Sequence, residues 1–271
     1  MIKRWLKDKE VDPSPYVFRL INFSEKTPPD SDIKTFLGKE VLDLFRNLGF
    51  LKEHFQTEPR EKLLKYLKEQ VFPSANNLID KNVFQGDFGE ILASVIESSF
   101  YDLIVPLRKL RWKFNKNRST FCTDMIAHDD ISNISEIYYY EIKTRILIRK
   151  EKGNYITVNA HDSLLKDEQT PGEGIADFLS RYHYEKGEYA ESSMYMDIVK
   201  NPQNYDRKFE LFFIIEKSEF KKVILTELEN LPPTLEPLGI TIVLVDHLKQ
   251  LIKEIRNYAI SNAQEYISGE S

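Results

Sequence analysis

The chain has 271 residues, 41% of them hydrophobic and 12% aromatic, which excludes a disordered chain and allows one large or two small domains with a real core. Its net charge of −5 excludes a uniformly basic nucleic-acid coat, though not a locally basic groove. A single cysteine, Cys122, excludes an internal disulfide framework and a thiolate zinc site, and no apolar run approaches the ~20 residues of a membrane span. With no signal-peptide pattern at the N-terminus, a cytoplasmic protein without membrane contact is expected.

In chain order, residues 16–23 are β-prone and 27–32 carry a Pro-Pro break. Phe36, Leu37, Val41, Leu42, Leu44, Phe45, Leu48, Leu51 and Phe55 recur at helical spacing and predict a helix over 36–55. A second helix is expected over 60–71, then a loop at 73–77. Residues 1–80 thus form a mostly helical N-terminal extension, available for docking a partner. The second block, 81–271, predicts a helix over 84–103 and strands over 105–114, 120–128 and 136–148. A turn at 152–154, a strand at 155–159 and a helix at 174–184 follow. A continuous apolar strand at 211–215 pairs with one at 240–245, as suits a sheet covered on both faces. The last helix is expected over 247–264.

Chemistry concentrates between residues 86 and 145. The first helix of this block carries Glu90, the second strand Asp124, and the third Glu141 and Lys143. Residues two apart share a strand face, so Glu141 and Lys143 point the same way. On neighbouring strands, Asp124 and Glu141 would meet across the ladder. Two carboxylates meeting without a cation repel, and a divalent metal removes that conflict. Magnesium accepts oxygen ligands and keeps several waters, so Asp124, Glu141 and the Ile142 carbonyl would suffice, with Glu90 behind a water. Lys143 would hold the attacking water or counter phosphate charge. Acid-x-lysine triplets also occur at Asp32–Lys34, Asp206–Lys208 and Glu219–Lys221, but only Glu141–Lys143 lies in a strongly β-prone run with acids on the two preceding elements. The competing reading is a solvated edge strand.

These residues resemble the PD-(D/E)xK nuclease superfamily, whose restriction-endonuclease-like fold is a mixed α/β sheet flanked by helices in αβββαβ order. The resemblance implies catalytic roles for Glu90, Asp124, Glu141 and Lys143, metal ligation by Glu90, Asp124, Glu141 and Ile142, and Mg2+ or Mn2+ as cofactor. Thr123 stands where the superfamily name has proline. A narrower resemblance is carried by Gly86–Glu90, Tyr140–Thr144, Ala160–Asp167 and Ile175–Arg181. These segments are similar to the HamA family, the nuclease subunit of the Hachiman antiphage system. That likeness implies a DNA substrate and a HamB-like helicase partner that restrains the nuclease.

Basic residues cluster beside the acids. Arg111, Lys113, Lys116 and Arg118 lie in an acid-free run that also holds Arg108 and Lys109, and Arg145 follows the Glu141–Lys143 pair. They would contact phosphates, or else form an ordinary solvated face. Arg181 and Tyr182 offer a minor phosphate contact. His161 is expected to pack or cap, and Tyr138 and Tyr140 to face the core. The expected function is a metal-dependent DNA nuclease of antiphage defence, probing little sequence and controlled by a helicase. The alternatives are a catalytically silent or regulatory DNA- or helicase-binding subunit and a structure-selective repair nuclease.

Overall fold

The computed structural model describes residues 1–74, 78–107, 109–113, 115–116, 123–130, 132–168, 174–232 and 234–269. In chain order the elements are α1 (Ile2–Trp5), β1 (Leu6–Glu10), β2 (Arg19–Glu25), α2 (Ser31–Phe45), α3 (Leu48–Phe55), α4 (Arg60–Tyr66) and α5 (Leu78–Phe100). They continue with β3 (Met125–His128), β4 (Glu136–Arg145), α6 (Ile156–Glu168), α7 (Ile175–Glu185), α8 (Tyr189–Lys200), β5 (Asp206–Glu216), α9 (Val223–Glu229), β6 (Leu238–Val245), α10 (Leu248–Ser261) and α11 (Ala263–Ser268). One six-stranded mixed sheet runs in the order β1-β2-β6-β5-β4-β3. Its centre, β2-β6-β5-β4, is parallel, and both outer pairings are antiparallel. The expected mixed α/β sheet flanked by helices is therefore present. The N-terminal segment adds two strands to that same sheet, beyond its helices.

The central strands are apolar on both faces because both are covered. Phe212 and Ile214 of β5 pack with α5 and the N-terminal helices, while Leu211, Phe213 and Ile215 pack with α6 and α9. Among the described residues no helix is long and apolar enough to cross a membrane.

Four local expectations are corrected. The helix predicted over 36–55 divides at Arg46, whose backbone turns extended. Asn47 caps the new helix by accepting from the Phe50 N–H at 3.1 Å, and Asp43 accepts from the Leu48 N–H at 3.0 Å. The strand predicted over 105–114 is absent among the described residues. Only Ile104 bridges to His128, and Lys109–Trp112 is a single 3-10 turn. Its polar side chains seek partners on different elements, which a flat strand would not let them reach. The strand predicted over 155–159 is the start of α6. Ile156, Ala160 and Leu164 form a buried helical stripe there, and the Thr157 hydroxyl donates to the Ile224 carbonyl at 2.6 Å. Finally, α8 and α9 occupy stretches with no predicted element.

The contact between α5 and β4 positions the candidate site. Gly89 lies so close to Thr144 that a Cβ at that position would collide with the Thr144 hydroxyl. Gln85, one turn earlier, donates to the Thr144 carbonyl at 2.7 Å. Absence of a side chain at Gly89 therefore lets the next residue, Glu90, sit against the end of the sheet.

Candidate functional site

The register Met125↔Tyr140 carries Asp124, one residue before β3, to the level of Glu141 on β4. Asp124 is the hub of what forms there. Its Oδ2 accepts the Ile142 N–H at 2.8 Å and lies 3.7 Å from the Lys143 ammonium. Lys143 in turn bonds to Glu141 Oε1. On the other side, Asp124 Oδ1 lies 3.3 Å from the Lys109 ammonium, which is also 3.3 Å from Glu90 Oε2 and donates to the Thr123 carbonyl at 3.2 Å. Glu90, Asp124, Glu141 and Lys143 are thus brought into one alternating chain of acids and ammonium groups, with Lys109 as its fifth member.

Lys109 was visible in the sequence only as part of a basic run. Its place between two acids depends on the 3-10 turn, which leaves no sequence signature. Two further side chains come from α6. Ser163 hydrogen-bonds to Glu141, and Asp167 hydrogen-bonds to Thr123 close to the Asp124 carboxylate. Both lie in the 160–167 segment and were not read as site residues.

Burial dominates the electrostatics. It pushes the Glu90 carboxyl up to about 8, with the Lys109 charge opposing and the Asp124 and Asp87 carboxylates adding to it. Burial beside Asp124 pushes Glu141 up to about 7 against the pull of Lys143. Asp87 rises to about 6 for the same reason, although Lys113 lies 2.5 Å away. Burial pulls Lys109 and Lys143 down, but the carboxylates around each outweigh it and both shift up.

Chemically the donor set suits a hard divalent cation. It is all oxygen, and the buried Glu141 Oε2 has no hydrogen-bond partner. Among the described residues, however, no three His, Cys, Asp or Glu side chains already form a metal-holding group. The acids are interleaved with Lys109 and Lys143 instead. The Ile142 backbone takes part through its N–H, donated to Asp124.

The expected phosphate contacts have internal partners. Arg111 donates to the Asp43 carbonyl and carboxylate, each at 2.8 Å. Lys113 pairs with Asp87, and Lys116 donates to the Glu69 carbonyl at 3.1 Å. Arg145 donates to the Thr144 carbonyl at 3.1 Å and lies 3.7 Å from Glu151. Arg118, with Arg108 and Cys122, lies outside the described residues. His161 is buried and lies 3.2 Å from the Thr234 hydroxyl, and Tyr138 and Tyr140 stack together on the core side.

No curated protein sequence matches the chain. The HamA family profile matches residues 1–259, spanning the sheet, the Asp124 hub and the helices around it. The chain therefore belongs to the HamA family and is a Hachiman antiviral-defence protein.

Proposed function

We propose that this chain is a metal-dependent DNA nuclease of the PD-(D/E)xK type, acting in antiphage defence under the control of a helicase. One observation carries this reading: Asp124 links Glu90 on α5 to Glu141 and Lys143 on β4 within a single cluster. Asp124, Glu141 and the Ile142 carbonyl would hold Mg2+ or Mn2+, with Glu90 in support. A bound divalent cation supplies Lewis acidity and neutralises charge at the scissile phosphate. The chain's own groups do the rest. Lys143, its side chain 26% exposed and fixed between two carboxylates, offers an oriented ammonium to a phosphate oxygen or a water. Burial beside Asp124 raises the Glu141 carboxyl in the metal-free site, and a bound cation would relieve that cost by holding it ionised. Asp124 holds both through the Ile142 N–H and the Lys143 charge.

A second reading, a regulatory subunit that binds DNA or helicase without cleaving, draws on the two lysines that already balance the acids. Incubating purified protein with plasmid DNA separates the readings. The nuclease reading expects degradation in Mg2+, none in EDTA and none with Lys143→Ala. Intact plasmid in Mg2+ and in Mn2+, with helicase absent, favours the second.

A further inference from the structure

We infer that a groove between α7, α8 and Trp112 binds single-stranded nucleic acid by stacking bases on exposed aromatic rings. This inference rests on the nuclease reading for its biological sense, but not for its test. The groove has a volume of about 900 Å³ and lies outside the acid cluster. Trp112 meets Tyr182 edge-on at 5.3 Å and Phe178 at 6.0 Å, and Phe178 lies nearly parallel to Tyr182. Further along, Tyr184 and Tyr189 form an edge pair at 5.3 Å. Trp112 is 41% exposed, and Tyr184 and Tyr189 are each 61% exposed. Among the described residues, only one other exposed large aromatic, Phe50, lies elsewhere. Such a concentration of wet rings marks a binding surface.

Cations stand beside the rings, although Arg181 is also paired with Asp177 at 3.0 Å and Lys186 lies 4.0 Å from Glu188. Arg181, Lys186 and Lys200 line the groove, and the Lys186 ammonium sits 4.3 Å from the Tyr182 ring centre. Two acids also line it, but Asp197 is engaged by the Tyr205 hydroxyl at 2.5 Å and by Asn201 at 2.7 Å. Arg111 and Lys113, expected from sequence to grip phosphate, are paired with Asp43 and Asp87, whereas Arg181 lines this groove.

Geometry joins this groove to the acids. Lys109 and Trp112 are the first and last residues of one 3-10 turn. Side chains three apart on such a turn eclipse, separated by about 6 Å along the axis. The turn that places Lys109 on Glu90 and Asp124 also places Trp112, three residues on, against Phe178 and Tyr182 of α7. Single strands fit and duplexes do not, because only unpaired bases offer their faces for stacking.

Tryptophan fluorescence tests this directly. The chain has two tryptophans, and Trp5 is 1% exposed with its indole N–H donated to Glu25 at 2.7 Å. Titrating a short oligothymidylate in EDTA, where cleavage is suppressed, should quench Trp112. In anisotropy titrations with a labelled oligothymidylate, Trp112→Ala and Tyr184→Ala should each bind about tenfold more weakly, the loss of one stacked base. A blunt duplex should show no such difference. Tyr184 is exposed enough that its removal spares the fold. Absence of quenching, or variant affinities within about twofold of wild type, overturns the inference and leaves the groove to a protein partner. Oligothymidylate binding through Trp112 without any DNA cleavage in Mg2+ would instead retain this site and defeat the nuclease reading.

Discussion

Asp124 accepts the Ile142 backbone N–H at 2.8 Å, tying the start of β3 to the residue between Glu141 and Lys143. The same carboxylate faces Lys109 with its other oxygen. Fold and chemistry are therefore coupled at one side chain, and the surrounding charges can be tested one at a time.

Lys109 has a side chain only 6% exposed and neutralises Glu90 and Asp124. Lys109→Met leaves Glu90 without its nearest cation and should cost about 3 kcal/mol of stability in urea denaturation. The double variant Lys109→Met/Glu90→Gln should recover much of that loss, because an amide at that position needs no cation beside it. An additive double variant would mean that the two side chains do not interact.

Close approach of α5 to β4 gives a packing test. Gly89→Ala drives a methyl group into the Thr144 hydroxyl and should destabilise by about 1–3 kcal/mol. Thr144→Ala removes the obstructing hydroxyl and should rescue Gly89→Ala, leaving Ile214 Cδ1 at 3.4 Å as an ordinary contact. Melting temperatures of the two single variants and the double variant decide this.

Strands β4, β5 and β6 were readable in the sequence because long runs such as Leu211–Ile215 have no helical alternative of comparable strength. Helix α5 was readable from Ile91, Leu92, Val95 and Ile96. Spacing was enough to nominate Glu90, Asp124, Glu141 and Lys143, whose elements the sheet then brings together. Ile156, Thr157 and Val158 misled because β-branched residues favour strands locally, while the stripe through Leu164 decides the packing. Lys109 was missed because one turn of 3-10 helix has no periodicity to read. Arg111 and Lys113 were read as phosphate contacts or a solvated face because their acid partners, Asp43 and Asp87, lie far away in sequence.

A pH test comes from a second buried acid, away from the cluster. Glu97 accepts from the Tyr140 hydroxyl, and burial together with the nearby Glu210 carboxylate pushes it up to about 8. In the unfolded chain it ionises near 4.5. Between those values the unfolded state has released a proton that the native state keeps, so this group's contribution to stability falls as pH rises from about 4.5 to about 8. Glu97→Gln should flatten that slope and gain on the order of 1 kcal/mol above pH 8. Parallel pH–stability curves for the two proteins would remove Glu97 from this role.

In the proposed function the Asp124 carboxylate organises a phosphodiester-cleaving site. Asp124→Asn keeps an oxygen to accept the Ile142 N–H but loses the charge facing Lys109 and Lys143. The decisive measurement is the rate of duplex DNA nicking in Mg2+ by this variant beside wild type, with matched circular dichroism. A fall of about a hundredfold is predicted. A rate within about twofold of an active wild type would contradict the account.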